Sequence, residues 1–469
     1  MPDSVLVNDL HSALNPTRVA RVLHPVGREQ ISAAIRDARS SGASLALSGG
    51  RHAMGGQQFA TDQWLLDLRA HAAIHGFDAE RGLLTVDAGI QWPALMTACA
   101  ALPAAPDGAR WGIRQKQTGA DRLTLGGGGA AGVHGRGGRL PPRGGDGEAF
   151  TLICPDAVPR RCARDENPDL FRLAIGGYGL FGVIADVTLR LAPRVPVRRS
   201  VEIITLEELV RVPAERDTSD WLYGDFQYSI DERSPDFLHR GVFSAYRRCE
   251  EPPDETAPQL QLNEADWIDL LALAHTDRAK VFDVYSGYYL STHGQRYWSD
   301  THQLSIYPDD YHSVLDRRFG SPCRCSEMIS ELYVPRPALG EFMSRAADYL
   351  RASGVPVIYG TIRLIERDNE TVLAWAREPW ACIIFNLHCE HTPSGLDHAA
   401  AGFRSLLDIA LSLGGSYYLT YHRWATRAQV ETAHPRFREF LAEKQTRDPT
   451  GLFTSDWYHH HQALFATPA

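Results

Sequence analysis

The chain is poor in the features that mark several large protein classes. No run of about 18 apolar residues occurs, so no membrane-spanning helix is expected. Positive charge is in deficit: 48 Lys and Arg stand against 57 Asp and Glu, a formal net charge of −9, which argues against nucleic acid as a partner. Met1 to Pro16 is polar and lacks the apolar stretch of a signal peptide. The eight cysteines are scattered; only Cys323 and Cys325 lie close, and C-x-C is neither a zinc nor a thioredoxin spacing. They read as reduced thiols of a cytoplasmic protein, with a Cys154–Cys162 disulfide as the alternative. No metal ligand set is apparent. His459, His460 and His461 are consecutive, cannot all face one ion, and read as a solvated or pocket-edge tail. Gly126 to Gly129 is not the G-x-G-x-x-G of a dinucleotide-binding βαβ unit.

What is abundant is glycine, concentrated in two places. Val19 to Leu23 reads as a strand, Ile31, Ala34, Ile35 and Ala38 recur at helical spacing, and Ser44 to Leu47 is a short strand. That strand empties into Ser48-Gly49-Gly50-Arg51-His52-Ala53-Met54-Gly55-Gly56-Gln57. Backbone amides in such a loop can approach an anion closely, because glycine adopts positive φ without a Cβ in the way. Trp64–Leu68 and Leu83–Ala88 read as strands, and Pro93 opens a helix carrying Leu95 and Met96. Residues 124–147 are the second dense region, interrupted by Leu125, Val133 and His134 and so not a floppy linker. A helix over Asp169–Ala174, a turn over Gly176–Gly182 and a strand over Val183–Leu191 follow.

Beyond Pro193 and Pro196 glycine thins out. Strands are expected at Phe226–Ile230, Tyr285–Leu290, Glu331–Val334, Tyr359–Ile365 and Ile383–His388, with helices at Ala338–Arg351, Ala399–Ser412 and Val430–Lys444. The pattern predicts an α+β protein of two domains with a boundary at Pro193 and Pro196, the second an antiparallel sheet covered by helices, 196–424. By period two, Ile384, Asn386 and His388 share one face, and Tyr359, Thr361 and Arg363 share another, against the apolar Ile383, Phe385 and Leu387. These polar faces suit a pocket wall for a hydroxylated or anionic small molecule. Tyr288, Tyr289, Gln295, Tyr297, Trp298 and His302 read as ordinary core and rim.

Four segments in this order resemble the FAD proteins of the vanillyl-alcohol-oxidase or PCMH type. Ser48–Gln57 is similar to their pyrophosphate loop, Val86–Leu95 to the following strand-turn-helix, Leu123–Gly137 to the segment beneath the flavin, and Gly176–Val187 to the adenine end. The resemblance implies FAD as cofactor, held by Ser48, Gly49, Gly50, Arg51, His52, Ala53, Gly55, Gly56, Gln57, Gly119, Asp121, Leu125, Gly126, Gly127, Ala130, Val133, His134, Gly135, Gly177, Gly182, Ile184 and Tyr418. Many members attach FAD to a loop histidine; either Arg51 or His52 aligns there, whereas a sugar-oxidising branch puts a serine at His52 and binds FAD non-covalently. No Cys occurs in 118–130, so a second covalent link is excluded. Tyr421 stands where that branch has a lysine, Arg136 replaces another, and Gln57 stands where an Asp is expected.

The resemblance also implies a split FAD-binding domain, 1–195 with 425–469 returning to it, and a substrate domain, 196–424, between. The implied reaction is oxidation of a CH–OH group by hydride transfer to flavin N5, with dioxygen or another acceptor taking the electrons. Tyr421 is the candidate base, on a strand and assisted by His388 or Arg363, with Asn386 on the substrate and His134 against the flavin. Flavin-dependent bond formation, C=C reduction and a non-catalytic flavin-binding protein are the alternatives.

Overall fold

In this computed structural model residues 4–466 are described, except 106, 107, 255, 257, 307 and 309. The first half runs β1 (Val5–Val7), β2 (Thr17–Val19), β3 (Arg21–Leu23), α1 (Arg28–Ser41), β4 (Leu45–Ser48), β5 (Trp64–Asp67), β6 (Ile74–Asp78), β7 (Leu83–Asp87), α2 (Trp92–Ala100), β8 (Trp111–Gly112), α3 (Leu125–Ala131), β9 (Gly147–Ile153), β10 (Pro159–Ala163), α4 (Pro168–Ala174), β11 (Val183–Arg190) and β12 (Ala192–Pro193). The second half runs β13 (Pro196–Thr205), α5 (Leu206–Glu215), β14 (Trp221–Tyr228), β15 (Arg240–Arg248), α6 (Glu264–Thr276), α7 (Arg278–Ser291), β16 (Arg296–Trp298), α8 (Tyr311–Phe319), β17 (Cys325–Pro335), α9 (Leu339–Ser353), β18 (Val357–Ile365), β19 (Trp380–Glu390), α10 (Pro393–Ser412), β20 (Ser416–Tyr417), α11 (Arg427–Ala433), α12 (Phe437–Arg447) and α13 (Asp456–Ala466).

Two larger sheets build the N-terminal part, beside the two-stranded pairs β1-β2 and β12-β8. A parallel one has the order β3-β5-β4, and an antiparallel one β10-β9-β11-β7-β6. Ile31, Ile35 and Ala38 of α1 are buried against Leu45, Leu66, Ile153 and Val183 between them. The rest is organised by one eight-stranded antiparallel sheet, β16-β13-β15-β14-β18-β19-β17-β20. Its apolar face, with Leu332, Ile383, Phe385 and Leu387, is sealed by Phe342, Met343 and Ala346 of α9 and by Phe403, Leu406 and Leu407 of α10. Burial of such faces, at roughly 25 cal/mol per Å² of apolar surface, is the main force holding helices to sheet. The opposite face of the same strands is polar and turns toward the glycine-rich loops. This is the α+β arrangement expected from the strand and helix pattern.

Four local expectations are corrected. Tyr285–Leu290 is helical, within α7: Val281, Tyr285, Tyr288 and Tyr289 fall on one helical face, and Asp277 caps the helix by accepting from Lys280 N at 3.0 Å. Aromatic content alone does not separate strand from helix. The helix expected over 430–444 is two, because Pro435 has no N–H to continue α11 and the chain restarts at Phe437. Residues 459–461 are not a solvated tail but part of α13, with His461 buried and its Nδ1 2.8 Å from the Trp457 carbonyl. Cys154 and Cys162 are free thiols, not a disulfide.

The C-terminal stretch returns to the first sheet. Leu45 N donates to the Leu452 carbonyl at 2.6 Å and Thr454 N to the Leu45 carbonyl at 2.9 Å. Asp448 shapes this turn, accepting from Leu452 N at 3.0 Å, from Phe453 N at 2.8 Å and from the Lys444 ammonium, which is 0% exposed. Asp448→Ala strands that ammonium and two amides. Urea unfolding is expected to register a loss of about 3–5 kcal/mol, and a loss below about 1 kcal/mol would disprove this account.

Burial also holds several histidines neutral: His11 is lowered to about 4, and His52, His422, His434 and His461 to about 3. In the unfolded chain each titrates near pH 6.5. Below that pH the unfolded state takes up protons that the folded state refuses, so stability falls as pH drops from 6.5 toward 4. Each such histidine costs up to about 2 kcal/mol at pH 5. A melting temperature clearly lower at pH 5 than at pH 8 is expected; an unchanged one would contradict neutral burial.

Candidate functional site

One cavity of about 720 Å³ runs between the glycine-rich loops and the polar face of the large sheet. At its first end, β4 delivers the chain into the loop 48–57. Arg51 adopts φ 59°, and its Nη2 is tied to Asp67 Oδ2 at 3.0 Å. A Cβ on Gly50 would stand 2.3 Å from the Arg122 carbonyl, and one on Gly49 2.0 Å from Thr124 Oγ1. The first glycine loop is therefore packed directly on the segment 122–124 that leads into the second, which no larger residue permits. Thr124 in turn caps α3, accepting from Gly127 N at 3.3 Å.

Gln57 locks this loop to a distant segment. Its Nε2 donates to the carbonyls of Leu419 and Thr420, at 2.8 and 3.0 Å, while its Oε1 accepts from Gly55 N. His52 is buried, with its Nδ1 2.8 Å from His11 Nε2. Burial, and then the neighbouring His11, hold its imidazole neutral.

At the other end a buried carboxylate gathers donors from three parts of the chain. Glu331 Oε1 lies 2.6 Å from His134 Nε2 and also accepts the Tyr333 hydroxyl. Its Oε2 accepts from the Tyr421 hydroxyl at 3.1 Å. Burial alone would raise the Glu331 pKa, but His134, the Tyr333 hydroxyl and the Arg363 charge outweigh it and hold the group at about 2. Tyr421 moves the other way: burial and the Glu331 charge push its phenol well above its usual range. The Arg363 charge, one of the expected helpers, does act to lower it but is outweighed, and Tyr421 stands in the site as a neutral hydroxyl donor. It lies just beyond β20 in irregular chain, not on a strand. Tyr418 is fixed beside it by donation to the Ala131 carbonyl at 2.6 Å.

Ser48, Gly49, Gly50, Arg51, His52, Ala53, Gln57, Gly119, Gly126, Gly127, Ala130, Val133, His134, Gly182, Ile184, Tyr418, Tyr421, Arg363 and Asn386 all line the cavity. Others expected there do not. Gly56, at φ 78°, turns against Asn15 and Asp456, while Gly55 packs on the Gln57 side chain. Asp121 pairs with Lys116 and accepts from Ser305 N. Leu125 belongs to the apolar core. Gly135 and Gly177 are needed for close contacts with the Lys116 and Leu173 carbonyls. His388 lies on the expected face but four residues further along the sheet, opposite Glu327 rather than Glu331, about 13 Å away at strand spacing.

Glu331 was missed. The signal was present, since the carboxylates Glu327 and Glu331 recur at period two on a strand that also carries Met328, Leu332 and Val334. Tyr288, Tyr289, Tyr297 and His302, read as core and rim, line the cavity. So do Arg136 and Arg199. Arg199 lies 4.4 Å over the Tyr289 ring, and Arg136 Nη1 is 3.6 Å from Asp225, a wall with two guanidinium groups and one carboxylate.

The fit to a dinucleotide can be judged from the cavity itself. Ser48 Oγ, Arg51 Nε, Gln117 Oε1 and Thr118 Oγ1 are buried without hydrogen-bond partners along the glycine-lined part. Buried polar groups are seldom left unpaired, so these are placed for a ligand's phosphates and hydroxyls. Among the described residues no helix is long and apolar enough to cross a membrane.

Comparison with known proteins agrees. Residues 19–141 match the FAD binding domain family. The chain is 22% identical over 420 residues to decaprenylphosphoryl-beta-D-ribose oxidase of Mycolicibacterium smegmatis, covering 85% of each chain. It is 27% identical over 199 residues to D-arabinono-1,4-lactone oxidase of Yarrowia lipolytica, 42% of this chain and 36% of that one. It is 37% identical over 78 residues to mitochondrial L-galactono-1,4-lactone dehydrogenase of Brassica oleracea, 17% of this chain and 13% of that one. The likeness thus spans most of the first relative and a minor part of the other two. With its glycine-lined cradle and this match over residues 19–141, the chain carries a PCMH-type FAD-binding domain and is an FAD-dependent oxidoreductase related to sugar and lactone oxidases and dehydrogenases.

Proposed function

We propose that this protein oxidises a CH–OH group of a sugar, sugar-derived lactol or polyol. The observation that carries the reading is the chain Tyr421–Glu331–His134, which opens onto the cavity opposite a wall of hydrogen-bonding side chains. When bound, FAD supplies the hydride acceptor. Ser48 to Ala53, Gln57, Gly126, Gly127 and Ala130 would hold it.

A phenol kept neutral is a poor base by itself, but it conducts a proton. The substrate hydroxyl gives its proton to the Tyr421 oxygen while Tyr421 passes its own to Glu331 Oε2. The C–H electron pair leaves as hydride at the same time, and a carbonyl forms. His134 and the Tyr333 hydroxyl, both on Oε1, keep Glu331 fixed and charged until that moment. Arg363 Nε, Thr361 Oγ1 and Gln227 Oε1 are buried, unpartnered and on the cavity wall. They match the several hydroxyls of a sugar better than an apolar substrate. The relatives' names, a ribose oxidase and enzymes of sugar lactones, point the same way. The electrons then pass to dioxygen or another acceptor.

Mixing the protein anaerobically with pentoses, hexoses, their phosphates and polyols should bleach the flavin absorbance with at least one of them. No bleaching across the set would defeat the alcohol-oxidising reading. With an active substrate, Glu331→Gln and Tyr421→Phe are expected to slow flavin reduction about 10²–10⁴-fold while FAD stays bound; undiminished rates would place the base elsewhere. We further propose that FAD is held without a covalent bond, since His52 is engaged by His11. Acid precipitation should leave the yellow colour in the supernatant, and colour in the pellet would show a covalent link.

A further inference from the structure

Four side chains from four elements converge at the end of the large sheet away from Glu331. His275 lies in the last turn of α6, His312 in the first turn of α8, Glu327 on β17, and His388 opposite it on β19. Glu327 Oε1 is 3.0 Å from His275 Nε2 and 3.3 Å from His388 Nδ1, and its Oε2 is 2.7 Å from His312 Nδ1. Glu327 is 3% exposed and His312 5%.

Two features separate this cluster from an ordinary buried hydrogen-bond network. First, donor atoms of His275, Glu327 and His388 lie within 4.8 Å of one another. Ligand bonds of about 2.0–2.2 Å around a tetrahedral ion put neighbouring donor atoms roughly 3.3 Å apart, close to the two separations found on Oε1. Secondly, His275 Nε2 and Glu327 Oε2 are buried and make no hydrogen bond of acceptable geometry, despite those short separations. The group also borders a cavity of about 70 Å³, shared with Asp316 and Cys325, with room for an ion and a water of about 30 Å³.

We propose that His275, His388 and Glu327 bind one divalent transition-metal ion, zinc by the mixed nitrogen and oxygen donors. His312 acts as a positioning residue on the second carboxylate oxygen, and the fourth coordination position opens to the small cavity. The site is separate from the flavin cleft yet coupled to its shape. The helix carrying His275 also supplies Trp267, Leu270 and Ala274 to the cleft wall. An ion joining His275 to β17 and β19 would pin that wall to the sheet. Sequence spacing conceals the set, since its members lie at 275, 312, 327 and 388.

The test uses full-length, FAD-loaded protein without a histidine tag, stripped with chelator and dialysed against zinc chloride, with metal measured by elemental analysis. One zinc per chain is expected, with a rise in melting temperature. His388→Ala and Glu327→Gln should each weaken zinc binding at least about 100-fold, and His312→Ala about 10-fold. His460→Ala, in the C-terminal histidine run, should bind as the parent does. The flavin spectrum and circular dichroism report folding. If His388→Ala does not fold, the near-isosteric Glu327→Gln decides. Failure of the parent to take up stoichiometric zinc overturns the proposal, as does unchanged binding by Glu327→Gln. Loss of zinc in His460→Ala with retention in Glu327→Gln would overturn it too, by placing the metal in the terminal run.

Discussion

The buried charge on Glu331 is the constraint around which the cleft is organised. An isolated carboxylate in a protein interior is too costly to keep, so it must be paired from several sides. Here the partners come from separate stretches: His134 from the glycine-rich segment, Tyr333 from the same strand, Tyr421 from the segment after β20, and the Arg363 charge from β18. Satisfying one charge therefore forces the flavin-binding part and the large sheet into one relative placement. Gln57 reinforces it by joining the first glycine loop to Leu419 and Thr420. Position and chemistry have a common cause, since the contacts that make the carboxylate tolerable also aim Tyr421 at the cavity.

The glycine loops stood out by density alone and do line the cleft, although the contacts that require Gly49 and Gly50 are remote in sequence. Gly49 and Gly50 abut Thr124 and Arg122, and a side chain of any size collides. Period-two alternation likewise located Arg363 and Asn386 on the cavity wall, because a strand buried on both faces still separates its two rows of side chains. Reading failed where the deciding partner is remote. Nothing near Tyr421 in sequence announces Glu331, ninety positions earlier. Residue type alone made His388 a plausible helper, whereas register places it opposite Glu327. The tyrosines of α7 looked β-prone because aromatic residues favour strands on average; Asp277 and the helical spacing of the cleft-facing rings prevailed.

Glu327 and Glu331 make an instructive pair. They share a strand and a face, each is almost fully buried, and each is met by histidine. One has hydroxyl partners and borders the large cleft; the other has three imidazoles and borders a small void. The same residue type on the same row can therefore serve proton transfer or ion capture, according to what the facing helices bring.

The bridging of Leu45 by Leu452 and Thr454 has a consequence for biosynthesis. The strand that launches the first glycine loop is flanked by residues made about 400 positions later. During synthesis, the first hundred residues emerge long before their neighbour exists. They must wait, incompletely braced, until residues 452–454 have emerged. Chains broken off before residue 452 are left without the brace beneath the first glycine loop.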